Sequence, residues 1–357
     1  MRKYLYVLLA AGLLLGACSE EADGAQEEAV DEKEQQNESA ENVEKDGEAE
    51  AEEYTGVYPL TGLGTNDQTD RRMVAVMINN HAKARPQSGL TDADMVFEIL
   101  AEGNITRLLA IYQSELPEKI GPVRSAREYY FELAENYGAL YIYHGAAGFI
   151  NEMIANRGIE HLDGAMYDNN GILFKRENFR QAPHNSYLLT EGVDPAAERK
   201  GYELQADYEP LPFLSEKEAG ELNGEAVSHA EITYGKNPME IVEFEYDTGT
   251  ETYKRYNDRE QTVERETGEP VEVENVFIVE ADHQVIDDQG RRAVDLASGG
   301  DAYLLQKGTV QPLEWENRDG RILPVKDGNP AGFVPGSTWI NVVPADPGIS
   351  NSVHLSH

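Results

Sequence analysis

Gly121-Pro-Val-Arg-Ser-Ala-Arg-Glu-Tyr-Tyr-Phe-Glu-Leu-Ala-Glu-Asn-Tyr-Gly138 is the stretch on which the fold turns. Ser125 with Glu128 three residues later has the form of a capping box, and apolar residues recur at Ala126, Tyr130, Leu133, Ala134 and Tyr137. This pattern predicts a helix starting at Ser125, with Gly138 as its left-handed stop. Before it, residues 72–78, 94–100 and 105–112 read as strands, the last two joined through the turn Glu102-Gly103-Asn104. After it come a strand over 139–143, a helix over about 147–156, a loop over 160–183, a strand near 184–189 and a short helix near 195–200. Strands and helices interleaved in this way predict layered α/β packing around a mixed sheet.

Beyond Pro210, Pro212, Gly220 and Gly224 the apolar period changes to two. Residues 230–234, 240–246, 251–256, 275–279, 302–305 and 338–343 read as short strands with turn signals between them. The expected class is therefore α+β. An α/β domain over 57–208 and a connection over 209–226 precede a mostly β domain over 227–345, and a frayed tail covers 346–357.

The N-terminus carries an address. Arg2 and Lys3 precede an apolar run from Tyr4 to Leu15, too short to span a bilayer and suited to a signal-peptide core. Leu15-Gly-Ala-Cys18 then resembles the bacterial lipobox. That resemblance implies removal of residues 1–17, diacylglycerol on the Cys18 thiol, and a mature chain starting at Cys18 on the outer face of the bacterial cytoplasmic membrane. Two acyl chains make a stable anchor where one makes a marginal one. Cys18 is the only cysteine, so lipidation leaves no thiol for a disulfide, a zinc cluster or a nucleophile.

The formal charge is −36. Residues 19–53 hold sixteen acids against Lys33 and Lys45 and almost no large apolar side chains. Residues 18–56 are thus expected to be a lipidated end and an acidic disordered tether that holds the globular part away from the membrane. Residues 54–357 still carry −24, which argues against nucleic acid as a partner.

Several motifs together carry a family resemblance. They are Met73-Val-Ala-Val-Met-Ile-Asn-Asn-His81, Arg85-Pro-Gln-Ser-Gly-Leu90, Ala101-Glu-Gly-Asn-Ile-Thr-Arg107, Ile120-Gly-Pro-Val-Arg-Ser-Ala-Arg127, Ala182-Pro-His-Asn185 and Gly336-Ser-Thr-Trp-Ile-Asn-Val-Val-Pro344. The chain resembles the YerB family of bacterial lipoproteins over nearly all of residues 57–345. The resemblance implies a two-part architecture and a lipid anchor, and no reaction.

Three chemistries are open to these residues. Arg124 and Arg127 flank the expected helix start, Arg107 leaves the preceding hairpin, and Arg176 with His184 lies in the loops beyond. Guanidiniums gathered at a helix N-terminus suit a carboxylate or phosphate, such as a peptidoglycan carboxylate or a polymer phosphate. The opposing expectation is that Glu98, Glu102 and Glu128 neutralise them. A second chemistry is cell-wall hydrolysis by Glu98 or Glu102 with His144 or His184. Metal binding is the third, but His81, His144, His161 and His184 lack ligand spacing, and no cofactor motif is present. The residues thus favour a receptor for an anionic envelope ligand, accessory to envelope assembly, over a hydrolase or an adaptor holding an envelope-assembly protein.

Overall fold

The computed structural model of the protein describes residues 54–235 and 241–357. The signal peptide, Cys18 and the acidic stretch lie outside the described residues.

Strands β1 (Val74–Asn79), β2 (Met95–Glu102) and β3 (Ile105–Tyr112) form the centre of the first half. Successive side chains of a strand point to opposite faces, and here both faces are covered. Ala75, Met77, Phe97, Ile99, Leu109 and Ile111 enter one core, and Val74, Val76, Ile78, Val96, Leu108 and Ala110 the other. The chain continues through α1 (Glu128–Asn136), β4 (Leu140–Tyr143), α2 (Gly148–Arg157), β5 (His161–Asp163), β6 (Phe174–Arg176), β7 (Ser186–Leu189) and α3 (Val193–Lys200). Strands β5 and β6 fall in what the sequence suggested was loop.

The second half supplies β8 (His229–Thr233), β9 (Ile241–Asp247) and β10 (Thr252–Asn257), then β11 (Asn275–Ala281), β12 (Gly300–Gln306), β13 (Thr309–Arg318), β14 (Arg321–Lys326) and β15 (Thr338–Pro344). Its strands are mostly antiparallel, and the chain is of the expected α+β class. The long pair β13–β14 was not foreseen, because polar and half-exposed residues blur the period of β13.

One large sheet runs β14–β13–β12–β11–β15–β2–β3–β1–β4–β5, with two-residue strands pairing at β14 and β13. The trio β11, β15 and β2 is parallel, as is the trio β1, β4 and β5. Strand β15, almost the last in the chain, lies between β11 and β2, so the two halves share one sheet. Helix α1 packs Tyr129, Tyr130, Phe131 and Leu133 into one core. Over the opposite face lies a second, antiparallel sheet built on β8, β9 and β10, which contributes Ala230, Ile232, Val242, Phe244 and Tyr253. The C-terminal residues do not fray: α4 (Ile349–Ser352) leads into β16 (Val353–Ser356), which pairs with β8. Tyr246 faces Tyr253 across β9 and β10 at 5.0 Å, while Trp315 and Trp339 are buried, so these aromatics serve packing.

Helix α1 begins three residues later than its capping box suggested. Ser125 caps nothing, and Arg127 holds the N-cap position in extended conformation without a side-chain bond. Tertiary pairing outcompetes the local cap, because the backbone of 122–126 is already bonded to β1 and to the residues after β4. Gly138 does adopt the left-handed conformation just past the end of α1 (φ 66°).

Candidate anion-binding site

Strands β1 and β4 pair only as far as Val76 and Ile142, and then splay. The segment before α1 fills the gap. Asn79 N–H donates to Pro122 O (2.9 Å), Arg124 N–H to Met77 O (2.8 Å), His144 N–H to Arg124 O (2.9 Å) and Ala126 N–H to Gly145 O (3.1 Å). Arg124 therefore stands at the carboxyl ends of two diverging parallel strands, where open α/β sheets bind their ligands.

The Arg124 side chain is half-buried, and among the described residues no carboxylate pairs with it. Its electrostatic neighbours are cations and imidazoles. Burial, and then Arg107, lower its pKa, with no acid acting against them. The rings of His81 and His184 lie 4.7 Å apart. Asn79 Oδ1 accepts from His81 N–H (3.1 Å), so Asn79 Nδ2 donates to His184 Nδ1 (2.9 Å). His81 Nδ1 accepts from Lys83 N–H (3.0 Å). Each neutral ring therefore carries its proton on Nε2 and offers an N–H donor. Burial lowers the pKa of His81, followed by Lys83, Arg85 and Arg124; for His184 the causes are burial, His81, Arg124, Lys83 and Arg180. Every one of these contributions disfavours positive charge, and among the described residues neither ring is ion-paired with a carboxylate.

Behind this group His144 is held rigidly. Arg176 Nη2 donates to His144 Nε2 (3.3 Å), which leaves Nδ1–H to donate to Ser186 Oγ (2.8 Å). Burial is the main cause of the lowered His144 pKa. A Cβ on Gly164 would sit 2.6 Å from His144 Nδ1, so only glycine leaves room for this ring. Arg176 itself is occupied, with Nε 2.7 Å and Nη2 2.9 Å from Asp168 and Nη1 bonded to Asn185 (3.0 Å).

The expected cluster of guanidiniums thus divides. Arg107 is buried and pairs with Glu102 at 2.8 Å, and Arg127, also buried, pairs with the other oxygen of the same carboxylate. These two face inward because Glu102, at the end of β2, reaches both. Arg176 is closed by Asp168. Arg124 and His184 remain available.

The hydrolytic pair is not assembled either. Glu98 is out of phase with Phe97 and Ile99, as the sequence implied, but its face lies beneath the second sheet rather than in solvent. Its carboxylate is fully buried, paired with Arg255 (2.9 Å) and accepting from Trp339 Nε1 (2.9 Å), Thr106 Oγ1 (2.8 Å) and Asn80 Nδ2 (3.2 Å). Glu102 is held by two arginines, and His144 by Ser186 and Arg176. Among the described residues no three His, Asp or Glu side chains gather as metal ligands.

A model of the N-terminal domain of a protein family of unknown function, DUF3048, matches residues 60–203, and the model of its C-terminal domain matches residues 230–340. The chain belongs to the DUF3048 family. A relative in Bacillus subtilis (strain 168), named "Putative lipoprotein YerB", is 47% identical over 290 residues, covering 80% of this chain and 86% of that one. The crystal structure of YerB from Bacillus subtilis superimposes with a TM-score of 0.77 at 45% identity, over 84% of this chain and 99% of that chain. The resemblance read from the motifs is therefore correct. In this DUF3048 chain the quoted motifs converge: Asn79 and His81, Arg124, and His184 come from three of them and meet at one place. Sequence reading weighed His81 only as a metal ligand and missed Lys83. The His81 that follows Asn79-Asn80 directly after a buried strand was the available signal.

Proposed function

We propose that this DUF3048 protein is a lipid-anchored extracytoplasmic receptor for an anionic group of the cell envelope, accessory to envelope assembly. The anchor reading rests on the Leu15-Gly-Ala-Cys18 lipobox and on a relative whose name calls it a lipoprotein. No helix among the described residues is long and apolar enough to cross a membrane.

One observation carries the receptor reading. In a chain with 66 acids and 30 bases, the Arg124 guanidinium has no carboxylate partner among the described residues, and its charge acts on Arg107, His81 and His184. Such an arrangement costs stability through self-repulsion unless an anion fills it. Arg124 supplies a planar fork of donors, and His81 and His184, their rings 4.7 Å apart, add Nε2–H donors from two other loops. Donors from separate directions fit a tetrahedral oxyanion better than a flat carboxylate, so a phosphate group is the favoured ligand. His144, Asn79 and Asp168 position the loops and do not touch the anion.

Calorimetric titration of the full-length protein with inorganic phosphate, and with acetate for comparison, tests this reading. Binding of phosphate that Arg124→Ala abolishes, with unfolding unchanged, supports it. Equal binding by wild type and Arg124→Ala refutes it.

A further inference from the structure

We infer that the Arg124 site is one end of a two-site track that reads a phosphodiester polymer with polyol or sugar repeats. This inference rests on the reading of Arg124 as an anion receptor and extends it.

The second site lies along the loop that presents His184. Phe179 in that loop is 47% exposed, an unusual setting for an aromatic ring, and two guanidiniums flank it. The Arg265 guanidinium carbon stands 3.6 Å from the ring centroid and that of Arg180 5.4 Å from it. Among the described residues neither arginine is salt-bridged to a carboxylate. Arg180 donates to the Tyr187 hydroxyl and to Pro86 O, and Arg265 Nε is buried with no hydrogen-bond partner. Glu266, the acid that acts on Arg180, is itself engaged by Lys119 and Ser88.

The two sites adjoin. His184 feels both Arg124 and Arg180. Arg180 holds Pro86, and Arg265 N–H donates to the next carbonyl, Gln87 O (2.9 Å), so both are tied to the loop that carries His81 and Lys83. Arg265 comes from the second half of the chain. Among the described residues neither group is closed by a salt bridge, Glu266 beside the second being taken up by Lys119, and two such groups on a protein of charge −36 match a ligand with repeated negative charge. The exposed part of the Phe179 ring, beside the two guanidiniums, offers an apolar surface for the carbon skeleton linking one phosphate to the next.

The test titrates the full-length protein with inorganic phosphate, with short glycerol-phosphate oligomers, and with oligothymidylate of equal charge. Two tethered phosphates gain affinity through effective concentration, here about tenfold or more over a single phosphate. We expect Arg265→Gln, which keeps the backbone bond to Gln87 O, to remove that gain and leave phosphate binding intact, which also shows that the variant is folded. Arg124→Ala should remove both. If wild type binds the oligomer no more tightly than phosphate, the track is refuted and the Arg124 receptor stands. If phosphate does not bind wild type, the receptor and the track fall together. Loss of phosphate binding in Arg265→Gln overturns the division into two sites, and oligothymidylate binding equal to the glycerol-phosphate oligomer overturns the assignment to polyol phosphates.

Discussion

Glu102→Gln separates a structural carboxylate from a catalytic one. Glu102 is the common partner of Arg107 and Arg127, whose side chains are only 7% and 8% exposed, while its own is 30% exposed. Glutamine keeps the shape and one acceptor oxygen, but removes the single negative charge that balances two nearly buried positive ones. Arg107 retains its bond to Ser125 O (2.7 Å) and Arg127 its bond to Ala126 O, so the guanidiniums stay in place and repel each other. Breaking a buried ion pair costs about 3–5 kcal/mol. The partial exposure of Glu102 argues for the lower end, and the loss of two partners at once keeps the cost near ~3 kcal/mol. At about 2–4 °C per kcal/mol for a domain of this order of size, the melting midpoint should fall by roughly 6–12 °C. Thermal and urea unfolding of the full-length protein measure it. A variant that melts with wild type would refute the reasoning. So would a larger loss from Arg124→Ala than from Glu102→Gln, since of these two residues Glu102 is the one that neutralises buried charge.

Four further outcomes are expected. Arg124→Ala should change unfolding free energy by no more than about 0.5 kcal/mol, because among the described residues no salt bridge is lost with it, while phosphate affinity measured by calorimetry falls at least tenfold. Sulfate, whose charge is constant across neutral pH, should bind more tightly as pH falls through the histidine range. His81 and His184 have lowered pKa values without ligand, a bound anion raises them, and binding therefore takes up protons. His81→Gln with His184→Gln should flatten that profile. Glu98→Ala should cost about 3–5 kcal/mol in urea unfolding, because it strands the fully buried Arg255 and leaves Trp339 Nε1 without its acceptor. Gly164→Ala should cost about 1–3 kcal/mol by overpacking, its Cβ landing 2.6 Å from His144 Nδ1 and 2.8 Å from Phe174, with the His144–Ser186 bond lost from the histidine NMR spectrum.

The elements were written in local pattern, and the site was written only in part. Residues 105–112 form a strand and pair with 95–102 as read, and the helical period of 148–157 and the left-handed Gly138 are where the spacing puts them. Local signals failed where long-range bonds won. The Ser125–Glu128 box is a sound helix start in isolation, yet Met77 O and Gly145 O claim the backbone on either side of it. Arg107, Arg124 and Arg127 look alike along the chain. What distinguishes them is Glu102, five residues from one and twenty-five from another, which turns two of them inward and misses the third. Glu98 read correctly as out of phase, but its partner Arg255 is 157 residues away, beyond the reach of any spacing rule. Phe179 between Arg180 and Arg265 joins two halves of the chain and leaves no local trace.

Strand β15 carries a consequence for biosynthesis. Val96, Phe97 and Ile99 on β2 stay an open edge until Trp339, Ile340 and Val342 arrive, some 240 residues later in the chain. A product truncated anywhere before Thr338 therefore displays a bare, apolar strand edge, the feature most prone to aggregation and proteolysis. The fold checks its own assembly: that edge closes only in a chain made through Val342.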